Sequence, residues 1–137
     1  SYFDKLRKDG YKLIIITNQP DIARGKISRS FVDETNSIII KNFSLDGCYV
    51  CDHDNNDKCL CRKPKNGLLL KAASDFNLDL SKCIMIGDRW KDIDAAEISG
   101  CKSIFIDYNY NEMKPVNFTA SASSLIEAIK IILDKND

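Results

Sequence analysis

Three short apolar runs, KLIIIT (12–17), KCIMIGD (82–88) and KSIFID (102–107), are separated by stretches with helical spacing, and this alternation leaves few folds open. Runs this rich in β-branched residues predict strands buried on both faces. Between and around them, helices are predicted over residues 1–9, stopped by Gly10, over 28–43, opened by a capping Ser28, and over 91–99, stopped by Gly100. Residues 66–79 place Leu69, Ala72, Ala73 and Phe76 on one helical face, and 123–135 carries Leu125, Ile129, Ile132 and Leu133 as a stripe. GCYVCD (47–52) reads as one further short strand. The implied architecture is α/β: right-handed β-α-β units forming a three-layer, doubly wound parallel sheet, in one domain over residues 1–137. Ligands of such folds bind beyond the carboxyl ends of the strands, so the residues that follow each strand matter most.

Composition narrows the partner. A chain of 137 residues is large enough to bury roughly 68% of its unfolded surface without a disulfide framework. Twenty acidic and twenty basic residues cancel, with no long run of one sign, which argues against nucleic acid or an anionic membrane and for a small molecule. The apolar runs fall far short of the roughly 20 residues of a membrane helix, and the N-terminus has no signal-peptide pattern, so a cytoplasmic protein is expected. Of the six cysteines, Cys51, Cys59 and Cys61 sit near the one histidine, whereas Cys48, Cys83 and Cys101 lie in or beside apolar segments. That distribution favours a reducing compartment and a metal.

Three strand ends carry polar signatures. In TNQPDIARG (17–25), Thr17 and the amides of Asn18 and Gln19 could hold phosphate oxygens; termination of the strand by turn-forming residues is the plainer alternative. In GDRWKD (87–92), Gly87 allows a tight turn that would expose Asp88 for Mg²⁺, with Asp92 one helical turn on. Asp92 also fits a helix-start acid favoured by the macrodipole. In CDHDNNDKCLCRKP (51–64), Cys51, His53, Cys59 and Cys61 make a Cys₃His set suited to tetrahedral Zn²⁺. Four protein ligands leave no position for an activated water, so the expected role is structural; a redox pair or a disulfide is the competing reading. Arg62 and Lys63 follow the last ligand directly, and a fixed loop would aim both cations at an anion.

Taken together, TNQPDIARG, CDH…CLCRKP and GDRWKD resemble, in that order, motifs of the haloacid dehalogenase superfamily, specifically its D,D-heptose 1,7-bisphosphate phosphatase group and the related histidinol phosphatases. The resemblance runs from about Lys12 to Gly100. It implies a HAD-like Rossmannoid fold, catalytic Mg²⁺ on Asp88 supported by Asp92, and structural Zn²⁺ in the cysteine loop. It further implies that Thr17 and Lys63 stabilise a phosphoryl group while Asn18, Gln19, Pro20, Arg62 and Arg89 line the substrate site. Pro20 and Asp21 stand where the family usually has Ser and Gly, and the zinc loop is shorter than is often seen. The absence of a large insertion implies a capless, accessible site.

The family also uses an Asp-x-Asp motif, whose first carboxylate attacks phosphorus and whose second acts as general acid and base. DHD (52–54) lies in the proposed zinc loop, DID (92–94) on a predicted helix, and DYN (107–109) lacks the second acid. The resemblance therefore places the motif on a strand preceding residue 1. The expected function is a Mg²⁺-dependent sugar-phosphate phosphatase of the heptose bisphosphate type. A histidinol-phosphate phosphatase and a non-catalytic zinc-stabilised domain binding a phosphorylated ligand or a protein are the alternatives. Loss of a central strand would expose sheet edges, through which a dimer could form.

Overall fold

The computed structural model describes residues 2–18, 28–51, 53 and 59–135. The elements are α1 (Tyr2–Lys8), β1 (Ile14–Asn18), α2 (Arg29–Phe43), β2 (Gly47–Cys51), α3 (Gly67–Phe76), a 3₁₀ turn (Leu80–Lys82), β3 (Ile84–Gly87), α4 (Trp90–Ser99), β4 (Lys102–Ile106), β5 (Ala120–Ala122) and α5 (Leu125–Lys135). Strand and helix alternate as the sequence predicts, with β5 as an additional strand. Ser28 caps α2 by accepting a hydrogen bond from the Phe31 amide at 3.1 Å.

Every strand pair is parallel, but the ladders fall into two groups. β1 pairs with β2 from Ile14↔Gly47 to Asn18↔Cys51. β4 pairs with β3 on one side, Ile84↔Lys102 to Gly87↔Phe105, and with β5 on the other. Among the described residues no ladder joins β1 to β3. Within each group the strands run the same way, so Thr17, Asn18 and Cys51 share the carboxyl end of one ladder, and Asp88 and Asp107 that of the other.

The core lies against the larger group. Leu6 of α1, Ile104 and Ile106 of β4, Ala122 of β5, and Ala128, Ile129 and Ile132 of α5 form one buried cluster, with Leu13 and Tyr11 packed on its edge. Ala128 takes the place that helical spacing assigned to Leu125, which is 42% exposed. Burying a side chain such as Ile129 contributes about 1.5–3 kcal/mol. α4 covers the other face of β3 and β4, while α3 packs on β1 and β2 and meets α4, so the two helices together link the groups. α1 does the same from below: Phe3 meets Phe43 edge-on at 5.9 Å, and Arg7 donates to the carbonyls of Phe43 and Ser44.

Candidate active site and metal centre

The segment that follows the cysteine cluster is shaped by its backbone. The Gly67 amide donates to the Leu60 carbonyl at 2.9 Å and the Lys65 amide to that of Arg62 at 2.9 Å, closing a tight turn. A Cβ on Gly67 would stand 2.4 Å from the Leu60 oxygen, so glycine alone permits the closure. Asn18, at the end of β1, then grips Lys63 by its main chain: its Oδ1 accepts from the Lys63 amide at 3.1 Å, and its Nδ2 donates to the Lys63 carbonyl at 3.4 Å.

Held this way, the Lys63 ammonium bridges the two strand groups. Nζ donates to the Ile16 carbonyl of β1 at 3.2 Å and to Asp92 Oδ1 of α4 at 2.6 Å, with both charged side chains only 11% exposed. Asp92 Oδ2 accepts from the Arg89 amide at 3.3 Å, capping α4. Both carboxylate oxygens are thus engaged, and Asp92 acts by orienting its neighbours. Gly87 allows the close approach, since a Cβ there would lie 2.3 Å from the Asp92 Cβ. A buried ion pair is favourable only when its remaining hydrogen-bonding groups are satisfied. Here Asp92 meets that condition, and two of the three Lys63 N–H groups are accounted for among the described residues.

Cys51, His53, Cys59 and Cys61 bring one ligand atom each to within 4.8 Å of one another. Tetrahedral Zn²⁺ with bonds of about 2.0–2.3 Å requires ligand separations of roughly 3.5–3.8 Å. Cys51 Sγ to Cys59 Sγ (3.7 Å), Cys51 Sγ to His53 Nδ1 (3.7 Å) and His53 Nδ1 to Cys61 Sγ (3.3 Å) match, whereas Cys51 Sγ to Cys61 Sγ, at 2.9 Å, would open on binding. The thiol chemistry fits a cation as well. Burial and the neighbouring thiols push Cys61 up to about 12, and burial raises Cys51. Burial also acts upward on Cys59, but hydrogen bonds from the Arg62 amide and the adjacent thiols outweigh it and bring that group down to about 7. One thiolate forms readily, and further ionisation needs a positive ion to offset the crowding. The residues present fit a Cys₃His metal centre.

The remaining predicted residues lie around Lys63. Thr17 Oγ1 donates to the Asn18 carbonyl at 3.4 Å, and Arg62 Nη1 donates to the His53 carbonyl at 3.4 Å, which ties this cation to the ligand loop. Asp88 is half-buried and accepts from the Tyr110 hydroxyl at 2.9 Å. Arg89 forms a two-pronged pair with Glu112, Nε to Oε1 at 3.2 Å and Nη2 to Oε2 at 2.7 Å. Gln19 and Pro20 lie outside the described residues. Sequence reasoning missed Lys91, Tyr110 and Glu112. Burial, then the nearby Arg62 and Arg89 charges, pushes the Lys91 ammonium below its usual range, so three cations lie near one another after β3 and the cysteine cluster. The rule that ligands gather beyond strand ends, applied to β4, would have drawn attention to the tyrosine and the glutamate.

The single Asp88 carboxylate suits Mg²⁺, which commonly takes one or two carboxylates, with water and phosphate oxygens completing its shell. Thr17 and Asn18 end β1, Arg89 follows β3, and Lys63 reaches from the segment after the cysteine cluster to Ile16 of β1 and Asp92 of α4.

Comparison with known proteins gives the family and the fold. Residues 60–124 match the HAD-hydrolase-like family. A D-glycero-β-D-manno-heptose-1,7-bisphosphate 7-phosphatase of Haemophilus influenzae is 39% identical, over 66% of this chain and 55% of its own length. One of Photorhabdus laumondii is 35% identical, over 89% of this chain and 70% of its own. The chain thus spans little more than half of the Haemophilus influenzae protein. The fold is shared with the D,D-heptose 1,7-bisphosphate phosphatase of B. bronchiseptica, solved with magnesium and phosphate, at TM-score 0.86 and 21% identity, covering 98% of this chain and 80% of that one. A HAD phosphatase of Thermococcus onnurineus superposes at TM-score 0.67 with 22% identity, over 96% of this chain and 54% of that one. The chain belongs to the HAD-like hydrolases, in the family of the heptose-1,7-bisphosphate 7-phosphatases.

Proposed function

We propose that this chain carries the phosphate-binding and metal-supporting part of a Mg²⁺-dependent phosphatase that acts on a sugar phosphate, D-glycero-β-D-manno-heptose 1,7-bisphosphate being the best-fitting substrate. The observation that carries the reading is the Lys63 bridge. One residue, held through its main chain by Asn18 and through its ammonium by Ile16 and Asp92, stands where the end of β1, the segment after the cysteine cluster and the start of α4 meet. Lys63 and Thr17 would neutralise and orient the phosphoryl oxygens, while Arg62 and Arg89 would grip the rest of the anion. Asp88 would hold Mg²⁺, which when bound supplies positive charge against the phosphoryl group. Cys51, His53, Cys59 and Cys61 would hold structural Zn²⁺ and thereby fix the direction of Arg62 and Lys63.

That no ladder joins β1 to β3 among the described residues supports a further part of the same reading: in the full gene product a strand ending in Asp-x-Asp would lie between them and deliver the nucleophile beside Lys63.

The test is phosphate release by the full gene product from heptose 1,7-bisphosphate and from histidinol phosphate, with and without Mg²⁺. Turnover of the heptose ester that is lost in Asp88→Asn and Lys63→Ala supports the reading. Preference for histidinol phosphate moves the substrate assignment, and tight phosphate-ester binding without turnover moves the protein to the non-catalytic class.

A further inference from the structure

We infer that Glu112 is a positioning residue of the anion site: from the loop after β4 it fixes the Arg89 guanidinium so that the unused N–H groups face an incoming phosphate. The inference rests on the anion site proposed above. A guanidinium has five N–H donors in a rigid fork. Glu112 engages one on Nε and one on Nη2, which leaves three, two of them on Nη1, pointing away from the carboxylate in a fixed plane. The Arg89 side chain is 54% exposed and would otherwise sample many rotamers, whereas Glu112 is only 25% exposed and well anchored.

That anchoring is visible along the loop. The Asp107 carboxylate accepts from the Asn109 amide at 2.8 Å and from Lys114 Nζ at 3.0 Å, closing the base of the loop. The Glu112 amide donates to the Tyr110 carbonyl at 2.9 Å. Tyr110 itself donates to Asp88, so two residues of one loop, two positions apart, hold two consecutive residues at the end of β3. A loop merely packed on the surface has no reason to direct both polar side chains to that point.

The rival role is a competitor, with the Glu112 carboxylate occupying Arg89 until phosphate displaces it. The two roles predict opposite signs. Positioning makes removal of Glu112 weaken anion binding, whereas competition makes removal strengthen it. The experiment is calorimetric titration of this chain with inorganic phosphate, paired with steady-state kinetics of the full gene product on heptose 1,7-bisphosphate. For Glu112→Ala the dissociation constant for phosphate and KM should both rise about five-fold, the scale of one exposed charge pair, with the loss falling on KM rather than kcat. Glu112→Asp should recover most of it, because the charge is retained. An unchanged or tighter phosphate constant in Glu112→Ala overturns the inference. Arg89→Ala separates the two layers: if it leaves phosphate binding intact, the anion site itself is misassigned. If Arg89→Ala weakens binding while Glu112→Ala does not, only the role of Glu112 falls.

Discussion

The two strand groups are built on different physics. In β4, residues Ser103 to Ile106 are all at most 6% exposed, and the helices on both faces seal them. In β1 every residue is only half-buried, and in β2 Cys51 alone is fully enclosed. Directional contacts hold that half instead: Asp46 exchanges hydrogen bonds with the Leu13 main chain, Tyr49 donates to Asp75 at 2.7 Å, Asn18 grips Lys63, and the Cys₃His cluster closes the end. Apolar burial is strong but indifferent to direction, whereas hydrogen bonds and metal ligation fix angles. The half that carries Lys63 and the proposed anion site relies on the second kind.

Chelation should expose this contrast most sharply. Structural Zn²⁺ contributes on the order of 10 kcal/mol to small zinc domains. Stripping the ion, or replacing Cys61 with Ser, should abolish hydrogen-exchange protection over β2 and residues 59–67 while β3 to β5 keep theirs. Uniform loss of protection would mean that the halves are not separable. Metal analysis of the purified chain should return one zinc per chain.

Ile129→Ala attacks the other half. With Ile129 2% exposed in the core cluster, the substitution should cost about 2–5 kcal/mol in denaturant unfolding, and Ile15→Ala in half-buried β1 clearly less. Equal costs would erase the distinction drawn between the strands.

The bridge between the halves comes next. Lys63→Met leaves the Asp92 carboxylate buried without its partner and should cost about 3 kcal/mol. Pairing it with Asp92→Asn should return part of the stability but none of the phosphate binding, which distinguishes a structural strut from a working cation. Recovery of both would remove Lys63 from the anion site.

The smallest effect concerns the Tyr49 anchor of β2. Burial, followed by the Asp75 hydrogen bond and charge, pushes the Tyr49 phenol up to about 12 from 10.0. A raised value means that the stability it lends is complete below pH 10 or so and fades as the pH climbs through 12. Thermal melts across that range should fall more steeply for the parent chain than for Tyr49→Phe, and ultraviolet titration should show a late tyrosine that Tyr49→Phe removes.

The long-range order of the fold was legible because its signals are local. The apolar runs, the Ser28 cap and the Gly100 stop each act within a few residues, and all appear where the spacing puts them. β5 was not legible, since Ala-Ser-Ala has no strand signal of its own and becomes a strand by pairing with Ile104–Ile106. At the site, ligand spacing marked the cysteine cluster and the motifs marked Lys63, Asp88 and Asp92. What the sequence withheld was the pairing: Lys63 and Asp92 are 29 positions apart, Arg89 and Glu112 23 apart, and only the folded chain decides which charge meets which.

The Asn18 contact has a consequence for how such a protein can vary. Both of its hydrogen bonds go to the amide and carbonyl of residue 63, groups that every amino acid except proline provides. The address is therefore blind to side-chain identity. Substitution around the loop can change the side chains on offer while the strand continues to deliver whatever stands at that position to the same place. Asn18→Asp, which keeps the acceptor but removes the donor, would forfeit that tolerance.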